Sequence, residues 1–512
     1  MVADQMMEWI KKNKSILFIV FLALFLRLFK ISSYMTFLGD EGRDALVWLR
    51  MLHGKFTLIG PQTSIGNMYL GPLYYYLMFP FYILMGTVGP SVGIALFAGA
   101  TTFLLWRFGR EWFSERVGLL AAFFYAISSV AIVLSRSSWN PNVMPFFSLL
   151  IIWGIWQFWQ KEKYYWLAIE GIFLSFAVQS HYLGLLLFPV VGIFFLVKLV
   201  SLLRKKDQHW RKLCLYFLLL GSLFLIITFL PLIWFDLRHN FINFNAFRKF
   251  FSERQTTVNL KVYKAIPQLW PLWKTVVTRL LAGKNEVFGF WLAMFFPPLM
   301  FFWFIRHIRG GRMDSSKVNS SGIFLLLVWL GVGLLGMGLY KQHIYDHYFG
   351  FLFPVVFLFF AVILEKSWQL KIYGKILASA LFLLVVVFSF KEAPLKYQPN
   401  FQMKRTAEIS DKIIVDSESK PFNLGMIAKQ NYDAGYRYFL EKKGHKALEI
   451  DAQKSGETIS EQLFVVCEEK ECNPTTHPQA EIANFGWSKI DREWEFPWGA
   501  KLFKLVHNIQ GE

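Results

Sequence analysis

The sequence predicts an all-α membrane protein of about eleven spans, followed by a small C-terminal α/β domain. The 512 residues are 55% hydrophobic and only 17% charged, whereas soluble chains carry roughly 25% charged residues. Long apolar runs recur through residues 1–390, and most approach the ~17–25 residues that a bilayer requires. Residues 391–512 are predicted to form a separate soluble domain.

Nine apolar runs are regular enough to be assigned as spans directly. They are residues 15–29, 117–134, 144–159, 183–200, 213–234, 288–304, 323–340, 349–364 and 376–390. Two less regular runs, 77–105 and 165–178, complete the predicted eleven. Lysines precede the first run, but no small-residue cleavage site follows it, so we expect it to remain as a span.

The charge distribution predicts the orientation of the spans. The formal net charge is +19, yet residues 391–512 contain 17 Lys and Arg against 19 Asp and Glu. Most basic clusters border alternate loops, which places the N-terminus in the cytoplasm of a cell-membrane protein. The first loop (31–70), a second long loop (236–285) and the tail are then extracytoplasmic. Because the basic residues border spans, no nucleic-acid partner is expected.

The first loop is predicted to contain an interfacial helix that begins near Asp40. Ala45, Leu46, Trp48, Leu49 and Leu52 recur at helical spacing, and a glycine ends the pattern at position 54. Asp40 and Glu41 stand at its start. Two interpretations are open for this pair: a helix N-cap, or a base that meets a lipid-linked substrate.

Other polar and aromatic residues gather at the predicted outer ends of the spans. Arg27 either extends to the interface or contacts a substrate phosphate, and Arg136 either grips a phosphate or faces lipid headgroups. The residues that could line a substrate cavity are Tyr69, Tyr74, Asn140, Asn142, Gln179, His181 and Tyr345. Each also has a structural interpretation, as part of an aromatic belt or through local hydrogen bonds. Lys341, His343 and His347 lie in a turn with two open interpretations: an ordinary interface turn, or a site whose cations pair with a lipid phosphate. Asp346 in the same turn weakens a purely anion-binding interpretation.

The tail is predicted to be a small α/β domain. Residues 412–415, 422–428 and 462–466 resemble strands, and 432–443 resembles a helix that Gly444 ends. Cys467 and Cys472 lie in this tail. An oxidising extracytoplasmic side would allow a disulfide between them, whereas a zinc pair is disfavoured because no second ligand pair is near.

Taken in order, these motifs resemble those of multi-spanning glycosyltransferases that use lipid-phosphate sugars and have the GT-C fold. The motifs are Asp-Glu at 40–41, Gly-Pro-Leu-Tyr-Tyr at 71–75, Ser-Arg at 135–136, His-Tyr-Leu-Gly-Leu-Leu-Leu-Phe-Pro at 181–189 and Asp-His-Tyr-Phe-Gly-Phe-Leu-Phe-Pro at 346–354. The resemblance is to glycosyltransferase family 39, with the dolichyl-phosphate-mannose protein mannosyltransferases, and to the aminoarabinose lipid A transferases.

The resemblance implies a sugar transfer from a polyprenyl-phosphate donor to a hydroxyl of a protein, lipid or glycan acceptor, with inversion. Asp40 would be the catalytic base and Glu41 its companion. The carrier phosphate would be held by Arg136, Lys341, His343 and His347, with Arg27 as a further candidate. Membrane lipid is the remaining expected partner, and no cofactor is required.

One departure from this family concerns metal binding. Relatives often have an acidic residue near position 140, where this chain has the amides Asn140 and Asn142. An amide supplies no charge to a metal and cannot act as a base. The sequence therefore argues against a required divalent ion and against a two-carboxylate scheme, while a divalent metal stays open as an alternative.

Two other functions are open from the sequence. One is a transporter or flippase of lipid-linked glycans, and the other is a non-catalytic membrane scaffold. A transporter would show broken helices near the midplane and two related halves. Here the polar residues gather at one face, which favours the enzyme.

Overall fold

The computed structural model describes residues 2–63, 68–252, 258–259, 261–309 and 320–508. Its internal contacts divide the chain into two units, which we describe separately. Unit 1 contains the N-terminal residues to Phe29, Leu58–Phe81 and Gly89–Gln398. Unit 2 contains Lys30–Thr57, Tyr82–Val88 and the tail from Pro399. The tail begins near the predicted boundary, and part of the first predicted loop belongs to the same unit.

Helices dominate the chain before residue 400, as the sequence predicts. In chain order they are α1 (Val2–Lys12), α2 (Lys14–Leu28), α3 (Ile31–Tyr34), α4 (Gly39–Leu52), α5 (Leu73–Met85), α6 (Gly89–Trp112), α7 (Glu115–Ile127), α8 (Ser129–Leu134), α9 (Met144–Trp159), α10 (Trp166–Ser180), α11 (Leu187–Arg204), α12 (His209–Asp236), α13 (Ile242–Ser252), α14 (Ile266–Leu281), α15 (Glu286–Arg309), α16 (Ser320–Gly338), α17 (Phe353–Trp368) and α18 (Ile372–Lys391). Of these, α3, α4 and the end of α5 from Tyr82 onward belong to unit 2.

Seven helical segments of the described chain are long and apolar enough to cross a membrane. They are Leu73–Trp112, Asn140–Trp159, Tyr182–Arg204, His209–Asp236, Ser320–Gly338, Asp346–Trp368 and Ile372–Lys391, and Trp166–Ser180 and Glu286–Leu299 are shorter apolar helices. A helical membrane protein is therefore confirmed, while the count of eleven stays a prediction. The second predicted loop contains two helices, α13 and α14. Residues 64–67 of the first predicted loop, and 253–257 and 260 of the second, lie outside the described residues.

Unit 1 packs around α17, whose membrane-length segment is almost completely buried. Its aromatic side chains meet those of α7, where the rings of Phe124 and Phe360 lie 4.8 Å apart. The predicted span 117–134 is broken at Ser128, which lies between α7 and α8 with a non-helical backbone (ψ 119°). The Ser128 hydroxyl donates to the carbonyl of Leu280 at 3.0 Å, so it gives a partner to a carbonyl at the C-terminal end of α14.

The tail in unit 2 is the predicted α/β domain. Its elements are α19 (Gln402–Asp416), β1 (Asn423–Ile427), α20 (Ala434–Lys442), α21 (Ser455–Thr458), β2 (Gln462–Cys467), α22 (Ala480–Phe485), β3 (Ser488–Glu495) and β4 (Lys501–His507). The strand order is β1-β2-β4-β3, with β1 parallel to β2 and the other two pairs antiparallel. The strand predicted at 412–415 is wrong, because Ile409 and Ile413 are buried one helical turn apart in α19.

Helix α4 is part of unit 2 because it packs tightly on α20. A Cβ atom added to Gly42 would lie 2.2 Å from the backbone nitrogen of Gly435, so the two backbones are nearly in contact. At the far end of α4, Arg50 donates to both carboxylate oxygens of Glu441, at 3.1 and 2.9 Å. These contacts, one near each end of α4, hold the helix on α20.

Candidate functional site

The first turn of α4 holds both carboxylates of the predicted site, in different surroundings. The N-cap is Leu38, so Asp40 is not the N-cap that the sequence suggested. The carboxylate that caps the start of this helix is Glu41, whose Oε2 accepts from the Leu38 backbone N–H at 3.0 Å. Its other oxygen accepts from the Thr36 hydroxyl. Both acceptor oxygens of Glu41 are thus engaged by the backbone and side chain that precede the helix.

Burial separates Glu41 further from Asp40. Glu41 is only 6% exposed, and this burial raises the pKa of its carboxyl group. The side chain of Asp40 is 39% exposed. A buried carboxyl that caps a helix suits a structural role, so the contacts of Glu41 do not favour the predicted role as a catalytic companion.

Asp40 is held through one oxygen. Its Oδ1 accepts from Arg43 Nη1 at 2.8 Å and from the Tyr432 hydroxyl at 2.7 Å. Arg43 in turn donates through Nε and Nη2 to the fully buried Asp44, at 2.9 and 2.8 Å. Among the residues that the structure describes, none donates to Oδ2 of Asp40, which leaves that oxygen able to take a proton.

The tail domain contributes to the surroundings of Asp40 through Asn431 and Tyr432. The Asn431 side-chain oxygen accepts from the Gly39 backbone N–H at 2.8 Å. A Cβ atom on Gly39 would lie 2.2 Å from the Tyr432 ring, so glycine is needed for this approach. Sequence reasoning missed both residues, since they are 392 positions away from Gly39 and Asp40. No local pattern could have indicated them.

In unit 1, Arg27 and Arg136 are buried and bind the backbone. Arg27 donates to Ser135 Oγ at 2.7 Å and to the carbonyls of Ala23, Ala126 and Tyr125 at 2.9–3.1 Å. Arg136 donates to the carbonyls of Leu26 and Phe29, at 2.9 and 2.7 Å. These are carbonyls at the C-terminus of α2, which lack partners within the helix. The contacts favour structural roles over the predicted phosphate binding.

A histidine–tyrosine cluster in unit 1 consists of His181, Tyr182, Tyr340, Tyr345, His347 and Tyr348. The cluster lies where several helices begin or end. Helices α10 and α16 end shortly before its residues in the chain, and α11 and α17 begin shortly after them. The rings of His181 and Tyr348 are 4.8 Å apart, and the Tyr182 hydroxyl donates to that of Tyr340 at 2.9 Å. The motifs at 181–189 and 346–354 therefore meet in space.

The turn at the edge of this cluster carries the predicted cations. The His343 ring packs on Tyr345 at 4.5 Å, and the His347 ring packs on Trp139 at 4.2 Å. Lys341 is exposed in the same turn. Asp346 forms an ion pair with Arg279 of α14 at 3.3 Å, which neutralises the one acidic group of the turn. Arg279 was not predicted, because it lies in a segment assigned as a loop.

The other predicted cavity residues of unit 1 are buried or hydrogen-bonded to other parts of the unit, mostly to residues that are distant in the sequence. Tyr74 is 1% exposed and belongs to the core. Gln179 accepts from the Leu73 N–H and donates to the Ile227 carbonyl, at 3.2 and 3.3 Å. The remaining contacts are Asn140 with the Ser180 carbonyl, Asn142 with the Ser137 carbonyl, and the Tyr69 N–H with Asn243. Among these residues only Tyr345 and His181 join the histidine–tyrosine cluster.

Two further predictions concern the cysteines and metal binding. Cys467 and Cys472 form a disulfide at the end of β2. Within the described ranges, no three or more His, Cys, Asp or Glu side chains are grouped so as to hold a metal ion.

Comparison by sequence gives one family match. Residues 71–235 match the family model described as dolichyl-phosphate-mannose-protein mannosyltransferase. The matched segment runs from the Gly-Pro-Leu-Tyr-Tyr motif to the end of α12, and does not include Asp40. Among curated proteins none matches the chain significantly.

Comparison by structure gives matches over nearly the whole chain. ArnT from Cupriavidus metallidurans bound to undecaprenyl phosphate matches with a TM-score of 0.58 at 15% identity, covering 96% of this chain and 98% of ArnT. The oligosaccharyltransferase AglB from Archaeoglobus fulgidus, in complex with an inhibitory peptide and a dolichol-phosphate, matches with a TM-score of 0.50 at 14% identity. This match covers 86% of this chain and 64% of the AglB chain. The predicted GT-C-like fold is thus confirmed.

Proposed function

We propose that this chain is a membrane glycosyltransferase that transfers a sugar from a polyprenyl-phosphate donor to an acceptor hydroxyl. The family model covering residues 71–235 and the fold shared with ArnT and AglB support the reaction class. The solved ArnT carries undecaprenyl phosphate and the solved AglB a dolichol-phosphate, which supports a lipid-phosphate carrier here. Sugar and acceptor are left open by these matches.

The observation that carries the proposal is Asp40, a partly exposed carboxylate with one oxygen held and the other able to accept a proton. In the proposed reaction, Asp40 takes the proton of the acceptor hydroxyl as that oxygen attacks the anomeric carbon. The bond from that carbon to the carrier phosphate breaks, and the phosphate leaves with the electron pair. A single displacement of this kind inverts the anomeric centre.

The leaving phosphate needs positive charge more than it needs a proton. We propose Lys341, His343 and His347 for this role, because they share the turn in which Arg279 neutralises Asp346. The buried Arg27 and Arg136 are then structural residues that hold the end of α2. Part of the proposal is that this turn and the tail are extracytoplasmic and the N-terminus cytoplasmic.

The experiment combines a donor panel with two carboxylate variants. Purified protein in liposomes is incubated with labelled polyprenyl-phosphate sugars and membrane extracts, and transfer of label is measured. Asp40→Asn keeps the shape of the side chain but removes the base, and should reduce transfer by about 10²-fold or more. Asp411→Asn is the matched control, since Asp411 is an exposed carboxylate of unit 2 that pairs with Lys443. It should transfer like the wild type.

Two results would contradict the proposal at different levels. Undiminished transfer by Asp40→Asn at normal abundance would remove Asp40 from the mechanism. Absence of transfer from every donor by the wild-type protein would remove the enzymatic function itself.

A further inference from the structure

Asp40 shares its Oδ1 atom between a residue of its own helix and a residue of the tail domain. Arg43 lies one turn further along α4, whereas Tyr432 immediately precedes α20. We propose that Tyr432 is a positioning residue, which holds the Asp40 carboxylate so that Oδ2 meets the acceptor hydroxyl. This inference rests on the proposed function and gives the tail domain a part in the reaction.

The position of Tyr432 is fixed by its neighbours. Its ring lies directly on the backbone of Gly39, where a Cβ atom would be 2.2 Å from the ring. The adjacent Asn431 accepts from the Gly39 N–H at 2.8 Å and donates to both oxygens of Glu468 at 3.1 Å. The Tyr432 hydroxyl is therefore held beside Asp40 by residues that fix its ring and its backbone, as preorganised sites require.

The direction of this hydrogen bond follows from the chemistry of the two groups. Partial burial raises the pKa of the Tyr432 hydroxyl above its ordinary value, so the hydroxyl stays protonated and donates to the carboxylate. Arg43 has only donors and binds the same oxygen. With both donors on Oδ1, proton acceptance is directed to Oδ2.

Arg43 is itself restrained by the buried Asp44. Two nitrogens of its guanidinium bind Asp44 Oδ1 at 2.9 and 2.8 Å, while the third binds Asp40. Asp40 is thus oriented from two sides, by α4 through Arg43 and by the tail through Tyr432. Loss of either donor should let the carboxylate rotate about its side-chain bonds, because its own exposure gives it room.

The test is Tyr432→Phe, which removes the hydroxyl and keeps the ring on Gly39. We expect kcat to fall by about 10-fold or more, because misorientation of a reacting group is costly, while KM for the lipid-linked donor is unchanged. The matched control is Tyr397→Phe. The Tyr397 hydroxyl donates to Glu392 at 3.2 Å, so this variant also removes a tyrosine–carboxylate hydrogen bond, and Glu392 is not part of the support of Tyr432. Its kcat should equal that of the wild type.

A double-mutant cycle separates positioning from general destabilisation. In the Asp40→Asn background, Tyr432→Phe should cause no further loss of transfer, since there is no base left to position. Thermal unfolding of the two phenylalanine variants is measured alongside, to show that both remain folded.

Three results would overturn the inference. They are wild-type kcat in Tyr432→Phe, equal losses in Tyr432→Phe and Tyr397→Phe, and the same fractional loss with and without the Asp40 carboxylate. An active wild type that Asp40→Asn inactivates would leave the proposed function standing in each of these cases. A wild type that transfers no sugar would instead overturn the function and this inference together.

Discussion

Asp40 and Glu41 are neighbours of the same chemical class, and their surroundings give them different roles. Glu41 is buried beneath the start of α4 and accepts from Thr36 and Leu38. Asp40 is partly exposed and bound through one oxygen. The sequence predicted a functional role for this pair, but it could not assign different roles to the two residues. The roles depend on which carboxylate is buried at the start of the helix.

The environment of Glu41 predicts an unusual pH dependence of stability. Because its pKa is raised from 4.5 in the folded protein, folding favours the protonated form, and the contribution of Glu41 to stability should fall as the pH rises above 4.5. Glu41→Gln does not titrate, so its free energy of unfolding relative to the wild type should rise over the same range. Chemical denaturation of detergent-solubilised protein between pH 4 and 8 measures this difference.

Glu441 gives the control of opposite sign. Its hydrogen bonds with Arg50 lower its pKa, so its contribution is present above the ordinary value of 4.5 and is lost as the pH falls below it. Glu441→Gln should therefore differ from the wild type by a constant amount between pH 5 and 8. Parallel curves for the wild type and Glu41→Gln would contradict the assignment of Glu41 as a buried cap.

The residues around Asp40 show how far sequence reasoning reached at this scale. Asp40 could be singled out because an acidic pair followed an apolar run and preceded a helical pattern. Arg43 and Asp44 lie in the same helix, but their spacing alone does not indicate that they hold Asp40. Tyr432 could not be found, because its contact with Asp40 is set by the packing of the tail on α4 and not by any spacing.

At the scale of elements, the packing of α4 on α20 is the feature that links the acidic pair to the tail domain. The sequence predicted both helices correctly, including the glycine at position 444 that ends α20 with positive φ. It did not predict that they touch. Two glycines, Gly42 and Gly435, make the close approach, and neither has a functional signature in the sequence.

Substitution of Gly42 by alanine should separate these two helices. The new Cβ atom would lie 2.2–2.3 Å from backbone atoms of Gly435, which cannot turn aside as a flexible side chain would. Alanine favours an isolated helix by about 1 kcal/mol over glycine, so a loss of stability would have to come from packing. We expect a loss of about 1–3 kcal/mol, as for overpacked cores, measured by denaturation.

Gly456 provides the control for this change. It also lies in a helix of unit 2, but an added Cβ atom would have no neighbour within 4 Å. Gly456→Ala should leave stability unchanged or raise it slightly. Equal behaviour of the two alanine variants would show that the close approach of α4 and α20 does not limit stability.

At the scale of the whole molecule, two kinds of surface carry exposed apolar side chains. The helices α12 and α18 are strongly apolar but only 22% buried in their membrane-length windows, so most of their side chains face outward. The tail also exposes single apolar residues, such as Val415 on α19. Composition predicted this contrast, because long apolar runs exceed what a soluble core could bury.

We expect lipid to surround α12 and water to surround α19, and one substitution on each helix tests this expectation. Leu225 is 56% exposed near the middle of α12, and Val415 is 70% exposed on α19. In lipid, a lysine at a helix centre costs about 2.5–3.5 kcal/mol, so Leu225→Lys should lower the amount of protein recovered from membranes. In water, an exposed lysine usually changes stability by less than ~0.5 kcal/mol, so Val415→Lys should be recovered normally. Equal recovery would mean that α12 does not face lipid, because surface exposure alone makes no distinction between the two sites.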